Sequence, residues 1–364
     1  MRVTHILDCF TGGGKERRCM QLLQGLHKEG VELQVIIVNS DISYPEIYSI
    51  PCNLCVIDRK NRKLGVLSTI KEIRYAIKSF SPHVVQSWGL MSSIFIIAAF
   101  PLMNFRFIAS YVADVISPKF LQQTWIINEL CKIYCDKIVG NSFAGLSAYG
   151  IQKSKAVLIY NGLNEERLKC SIDKTIKKKE LNITTDYVVA MIASFNNYKD
   201  YDTYLESAKK IVKRRNDITF LAVGTGVKWE AYKQSLTQDE CTFIRMLGRR
   251  NDIDEILQVC DLTVLCTNPK IKEGLSNSIV ESMAFGVPVL ATCGGGTPEL
   301  IRDGFNSFFI KQQQPDSVAE QIVDVLEDEV RLKTVSHNAR NTILNSFMLS
   351  RMTKDFVNLY NNEG

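Results

Sequence analysis

Residues 272–286 read Lys-Glu-Gly-Leu-Ser-Asn-Ser-Ile-Val-Glu-Ser-Met-Ala-Phe-Gly. Gly274 permits a tight turn, and Ser276 or Asn277 is a good cap for a helix over 277–285 that Gly286 would end. The unpaired amides of such a helix start, around Leu275, Ser276, Asn277 and Ser278, suit a pyrophosphate. Glu273 lies in the loop before the helix and Glu281 about one turn inside it. Like charges repel, so two acids do not themselves attract an anion. Carboxylates do accept hydrogen bonds from hydroxyls. Amides for phosphates beside acids for hydroxyls describe a ligand with both, such as a sugar nucleotide. The residues alone leave a second reading open, with Glu281 as a helix N-terminal charge and Glu273 as a loop acid.

Three other turns carry chemistry. Residues 10–16 read Phe-Thr-Gly-Gly-Gly-Lys-Glu. Gly13 and Gly14 there let backbone approach a ligand closely. The turn is neither a Walker loop nor a GxGxxG fingerprint, because Lys15 is followed by Glu16 and position 9 is Cys9. Residues 193–200 end in Lys199-Asp200, and a lysine there supplies a point charge to a diphosphate. Residues 292–300 bring Gly294, Gly295, Gly296 and Pro298, a glycine-rich loop running into a helix.

Short β-branched runs alternate with amphipathic stretches. Strands are predicted over 3–7, 33–38, 84–87, 107–111, 137–139 and 156–159, with helices over 17–29 and 66–80. The polar, lysine-rich segment 169–181 has the composition of a linker. The alternation then resumes, with strands over 187–193, 219–223, 243–246, 262–265, 288–291 and 307–309. Helices fall over 201–214, 253–258, 277–285 and 317–326. Such alternation implies βαβ crossovers and parallel sheets. The domains read as 1–168 and 169–345, with a terminal helix in 346–364 returning towards the first. Ligands of such sheets lie beyond the carboxyl ends of the strands, and a two-domain chain places its site in the cleft between them.

With 364 residues, the chain is long enough for two cores. Residues 1–170 carry 20 basic and 13 acidic side chains, against 24 and 26 in the remainder. The basic first part suits anionic phosphates or an anionic membrane face. The eleven cysteines are odd in number and scattered, with Cys52 and Cys55 the one CxxC, as in a reducing cytoplasm. No secretory leader is read at the N-terminus. The apolar stretch 94–103 contains Pro101 and is too short to span a bilayer, so it reads as a buried helix.

The order of these motifs resembles family 4 of the retaining GT-B glycosyltransferases. Residues 273–289 look like that family's EGxxNxxxEAmaxGxPV stretch, continued by 294–301 and by Asp303-Gly304. Residues 247–252 resemble its G-x-x-x-D turn, and 13–17 its GGxER turn. Asn141-Ser142 and 160–162 resemble later landmarks. The resemblance implies an α/β GT-B fold of two doubly wound Rossmann-like domains facing a central cleft. It implies transfer of a hexose or N-acetylhexosamine from a nucleotide sugar, UDP-linked, to a glycan acceptor, a lipid-linked one among the forms this takes. Glu281 would hold the ribose and Glu273 the donor sugar at the reacting carbon. Lys199, Gly274 and the amides of Leu275 to Ser278 would hold the diphosphate, and Gly13 and Gly14 would meet the donor from the other domain. No metal or other cofactor and no nucleic-acid partner are expected. Ser194 stands where members often carry arginine, leaving Arg249 or Arg250 as the replacement cation. Trp88 and Ala113 stand where histidines are usual, and Asp114 is the acid assigned to catalysis beside them. A cytoplasmic protein with peripheral membrane contact fits best. A nucleotide-sugar-binding partner subunit without activity and a GT-B epimerase are the alternatives. A Rossmann dehydrogenase fits worst, since neither domain's first strand is followed by GxGxxG.

Overall fold

The computed structural model describes residues 1–11, 13–99, 104–268 and 272–361. Gly12 of the first glycine turn and Pro101 of the apolar stretch lie outside them. Two compact units divide the chain: Met1–Gly162 with Leu349–Gly364, and Leu163–Met348.

The first unit holds β1 (Arg2–Leu7), β2 (Glu32–Ile37), β3 (Asn53–Val56), β4 (Val84–Ser87), β5 (Arg106–Val112), β6 (Lys137–Gly140) and β7 (Ala156–Leu158). They pair in parallel in the order β3-β2-β1-β4-β5-β6-β7. Near-continuous apolar runs such as Val35-Ile36-Ile37 are what a sheet covered on both faces requires. β3 has no counterpart among the predicted strands, because it is a half-exposed edge strand starting at Asn53 and interrupted by Cys55. The apolar stretch contributes the helix Leu90–Ala99.

The second unit holds β8 (Tyr187–Ile192), β9 (Ile218–Val223), β10 (Ile244–Gly248), β11 (Leu262–Leu265), β12 (Val289–Ala291) and β13 (Phe308–Phe309). Their order is β10-β9-β8-β11-β12-β13, again parallel. This is the doubly wound order of a dinucleotide-binding sheet. In each unit the chain runs outward from its first strand and then returns to that strand's other side. The loops after β1 and β4, and after β8 and β11, therefore part and leave a crevice at the carboxyl edge.

Two sequence readings are corrected. The chain enters the second unit at Leu163 rather than at 169, and leaves it after Met348 rather than 345. Leu163 bridges to Met348, and its amide donates to the Phe347 carbonyl at 2.8 Å, which ties both crossings to one point. Segment 169–181 is not a linker. Asp173 caps a helix, Lys174–Glu180, whose Lys177 is 4% exposed. The Lys177 ammonium meets Glu180 at 2.8 Å, Glu255 at 2.7 Å and Asp252. Burying a lysine is tolerable only with such partners.

The terminal helix Leu349–Asn361 packs with the first unit. Leu349, Met352, Phe356, Leu359 and Tyr360 join Leu22, Leu23, Leu26 and Trp88 in one core. Among the described residues, no helix is long and apolar enough to cross a membrane.

Candidate functional site

Beyond β8 and β11 the structure brings Lys199 to Glu273 and the helix start that follows it. The loop after β8 is fixed by its own side chains. Asn196 accepts from the Tyr198 amide at 3.0 Å and donates to Ser194 Oγ at 2.8 Å. Asp200 then caps the helix Tyr201–Val212 through the Thr203 amide and hydroxyl. Between these anchors Lys199 forms an isolated bridge with Thr267, just past β11. Its Nζ reaches Glu273 Oε2 at 2.6 Å, with the lysine side chain 8% exposed and the glutamate 34%. Two residues 74 apart in sequence thus meet where the topology predicts a ligand.

Glu273 is held by its backbone. The Gly296 amide donates to the Glu273 carbonyl at 3.0 Å. Gly295 has φ +57°, and a Cβ there would lie 2.0 Å from the same carbonyl oxygen. The glycine-rich loop that runs through 292–296 is thus the brace behind Glu273. Its other end is tied through Thr292 to Gln313, which also donates to Asp200.

The helix forms over Asn277–Ala284 with Ser276 at the cap position. Gly286, at φ +74°, follows its last turn. The capping expectation needs correcting in one respect. Ser276 makes no side-chain cap hydrogen bond; its hydroxyl lies 3.1 Å from that of Ser278. The helix start is thereby not closed by its own cap side chain. Gly274, Leu275 and Ser276 are buried, while Asn277 and Ser278 are partly exposed.

Glu281 is buried, and its Oε1 accepts from Arg167 Nη1 at 2.8 Å. The remaining edge of that guanidinium forks onto Asp254, with Nε at 3.0 Å from Oδ2. Burial works against the charge of Arg167, but the Asp254 hydrogen bonds and Glu281 outweigh it and hold the group above the usual arginine range. Sequence reasoning missed Arg167 because its partners lie 87 and 114 residues away.

The two candidate replacement cations part company. Arg250 is committed to Asp252 and to Glu180 at 2.7 Å, so it is not a phosphate ligand in this arrangement. Arg249, beyond β10, is exposed and has no ion pair among the described residues. Glu180, Asp252 and Glu255 approach one another as metal ligands would, but they converge on the Lys177 ammonium.

In the first unit, Gly13 precedes the helix Gly14–Lys28 in extended conformation, without a side-chain cap. The crevice between β1 and β4 also holds Asp8, not singled out from sequence, beside Lys15 and Glu16 of the glycine turn. Lys15 Nζ lies 3.3 Å from Glu16, and burial pushes the Asp8 carboxyl up. A Cβ on Gly89 would lie 2.5 Å from Asp8 Oδ2 and 3.4 Å from Lys15 Nζ. Its sequence signal was an acid directly after the first strand. Trp88 does not stand in for a ligand-facing histidine. It is fully buried, and its indole N–H donates to His5 Nδ1 at 3.0 Å. Asp114, past β5, accepts from the Tyr149 hydroxyl at 2.9 Å.

Residues 172–342 match the family model described as Glycosyl transferases group 1. An Escherichia coli protein named UDP-Gal:alpha-D-GlcNAc-diphosphoundecaprenol alpha-1,3-galactosyltransferase is 30% identical over 216 residues, 58% of this chain and 55% of the relative. A Campylobacter jejuni relative, N,N'-diacetylbacillosaminyl-diphospho-undecaprenol alpha-1,3-N-acetylgalactosaminyltransferase, is 28% identical over 70% of this chain and 64% of its own. The chain thus spans about half to two thirds of these relatives' length. The crystal structure of the Anabaena protein HepE in complex with UDP superposes with a TM-score of 0.82 at 19% identity, over 99% of both chains. Most of the second unit thus matches the group 1 family model, and the two parallel-sheet units have the GT-B fold.

Proposed function

We propose that this chain transfers a hexose or N-acetylhexosamine from a UDP-sugar to a glycan acceptor in bacterial surface polysaccharide synthesis, with retention of configuration. The observation that carries the reading is the convergence of Lys199, Glu273 and the Asn277–Ala284 helix start at the β8/β11 crevice. The names of the relatives support the reaction class and the lipid-linked acceptor, and the UDP-bound neighbour supports the nucleotide.

On this reading the diphosphate lies against the helix-start amides, with Lys199 Nζ as the cation. Glu273 then exchanges its lysine contact for donor-sugar hydroxyls, and Glu281 accepts from the ribose. Charge building on the departing UDP is stabilised by preorganised amides and ammonium, so the reading calls for no bound metal. Loss of UDP leaves an oxocarbenium-like sugar that the acceptor oxygen attacks on the same face. Gly13, Gly14 and Asp114 belong to the acceptor-bearing unit. A basic first unit suits an acceptor carried on a lipid diphosphate at the inner membrane face.

A panel of nucleotide sugars, incubated with and without membrane lipid extract and followed by product mass, tests the proposal. UDP release with a sugar-extended lipid product is the expected outcome. Absence of turnover together with absence of UDP or GDP binding refutes it. Glu281→Ala is expected to weaken UDP binding by about 1.5–3 kcal/mol, about 10- to 150-fold, in a calorimetric titration.

A further inference from the structure

We infer that Arg167 is a positioning residue of the nucleotide site, fixing the Glu281 carboxylate in the orientation that receives the ribose. The inference rests on the donor-site reading above. Three separate segments meet in this contact: Glu165–Lys169, the helix Ile253–Gln258 and the helix Asn277–Ala284. Side-chain exposures are 18% for Arg167, 21% for Asp254 and 9% for Glu281. A buried carboxylate without a counter-charge is costly.

The geometry addresses direction as well as charge. A guanidinium is planar and rigid, so the Asp254 fork sets the plane in which Nη1 points at Glu281 Oε1. Asn164 fixes the backbone of the Arg167 segment by accepting from the Glu166 amide at 3.1 Å. An ionised carboxylate offers about four acceptor sites, so pairing with Arg167 is compatible with hydrogen bonds from a vicinal diol. Lysine in place of arginine would retain charge and lose the fork.

UDP titrations of the wild type, Arg167→Ala, Arg167→Lys, Glu281→Ala and the Arg167→Ala/Glu281→Ala double variant test this. Arg167→Ala is expected to weaken UDP about tenfold, and Arg167→Lys to recover only part of that loss. The double variant should bind no more weakly than Glu281→Ala alone, because Arg167 acts through Glu281. A second probe, 2′,3′-dideoxy-UDP, should bind wild type and Arg167→Ala equally. Donor KM should rise about tenfold with kcat within about threefold, the pattern of lost uniform binding. Unchanged or tighter UDP binding in Arg167→Ala, or additive losses in the double variant, overturns the inference. Should Arg167→Ala fail to fold, Asp254→Asn removes the fork's counter-charge and is expected to show a smaller loss, again confined to ribose-bearing ligands. An equal loss for the dideoxy probe overturns the inference. Wild type that binds no UDP sinks the donor reading and this inference with it. Wild type that binds UDP in a Glu281-dependent but Arg167-independent way sinks this inference alone.

Discussion

Gly294 and Gly295 are neighbours with opposite tolerances, and the contrast isolates what the glycine loop does. An added Cβ on Gly294 meets nothing within 4 Å, whereas one on Gly295 would lie 2.0 Å from the Glu273 carbonyl at φ +57°. Gly295→Ala therefore costs about 1–2 kcal/mol for the left-handed backbone alone, and its steric contact must displace the Glu273 loop. Gly294→Ala should melt within a degree or two of wild type. Thermal unfolding of the pair checks the cost. Turnover against UDP affinity checks the site: Gly295→Ala should lose turnover more than nucleotide binding, because Glu281 stands on a different element. The helix after Glu273 was legible at this scale, since 273–286 carries turn, cap position and helix stop in one local run. The partners of Glu273 and Glu281 were not. Nothing local marks Arg167 or Gly295 as contacts of Glu281 and Glu273, because those pairings are made only when distant segments fold together.

Elements differ in legibility for the same reason. β1, β4 and β11 are buried on both faces, and their Val, Ile and Leu residues mark them in the sequence as buried parallel strands. The helix Lys174–Glu180 reads as a linker because its lysines look solvated, yet three acids neutralise Lys177. The first strand also carries a pH dependence. His5 is fully buried, takes the Trp88 N–H on Nδ1, and burial lowers its pKa to about 3. Unfolded, the same imidazole titrates near its ordinary value of 6.5. Between those values the unfolded chain binds a proton that the folded chain excludes, so stability falls as pH falls. At pH 5 this linkage removes about 2 kcal/mol relative to neutral pH. Urea unfolding from pH 7.5 to 5 should show that slope for the wild type. In His5→Gln, which retains a hydrogen-bond acceptor, this contribution to the slope should vanish at the cost of a lower stability at pH 7.5. An unchanged slope rules out His5 as its source.

At the scale of the whole molecule, the chain crosses between its two units twice, and the second crossing makes the last helix part of the first unit's core. Phe356 is fully buried, tilted against Trp88 with ring centroids 6.2 Å apart, and lies under the Arg18 guanidinium at 5.5 Å. Arg18 in turn donates to the Ile159 carbonyl at 2.6 Å, so the C-terminal helix helps hold the strand end just before the first crossing. The second unit has its own core, built from residues such as Tyr204, Phe220 and Ile322. Phe356→Ala therefore leaves a cavity in the first unit alone, at about 3–5 kcal/mol. That is a large share of the roughly 5–15 kcal/mol that holds a domain folded. Hydrogen exchange resolved by peptide should show faster opening in β1, β4 and the helix Gly14–Lys28. Peptides from β8 to β13 should keep wild-type protection, and UDP affinity should stay within about twofold, because Lys199, Glu273, Glu281 and Arg167 all belong to the second unit. Uniform loss of protection across both units would mean that the two cores unfold as one, and that the nucleotide site draws its stability from the whole chain.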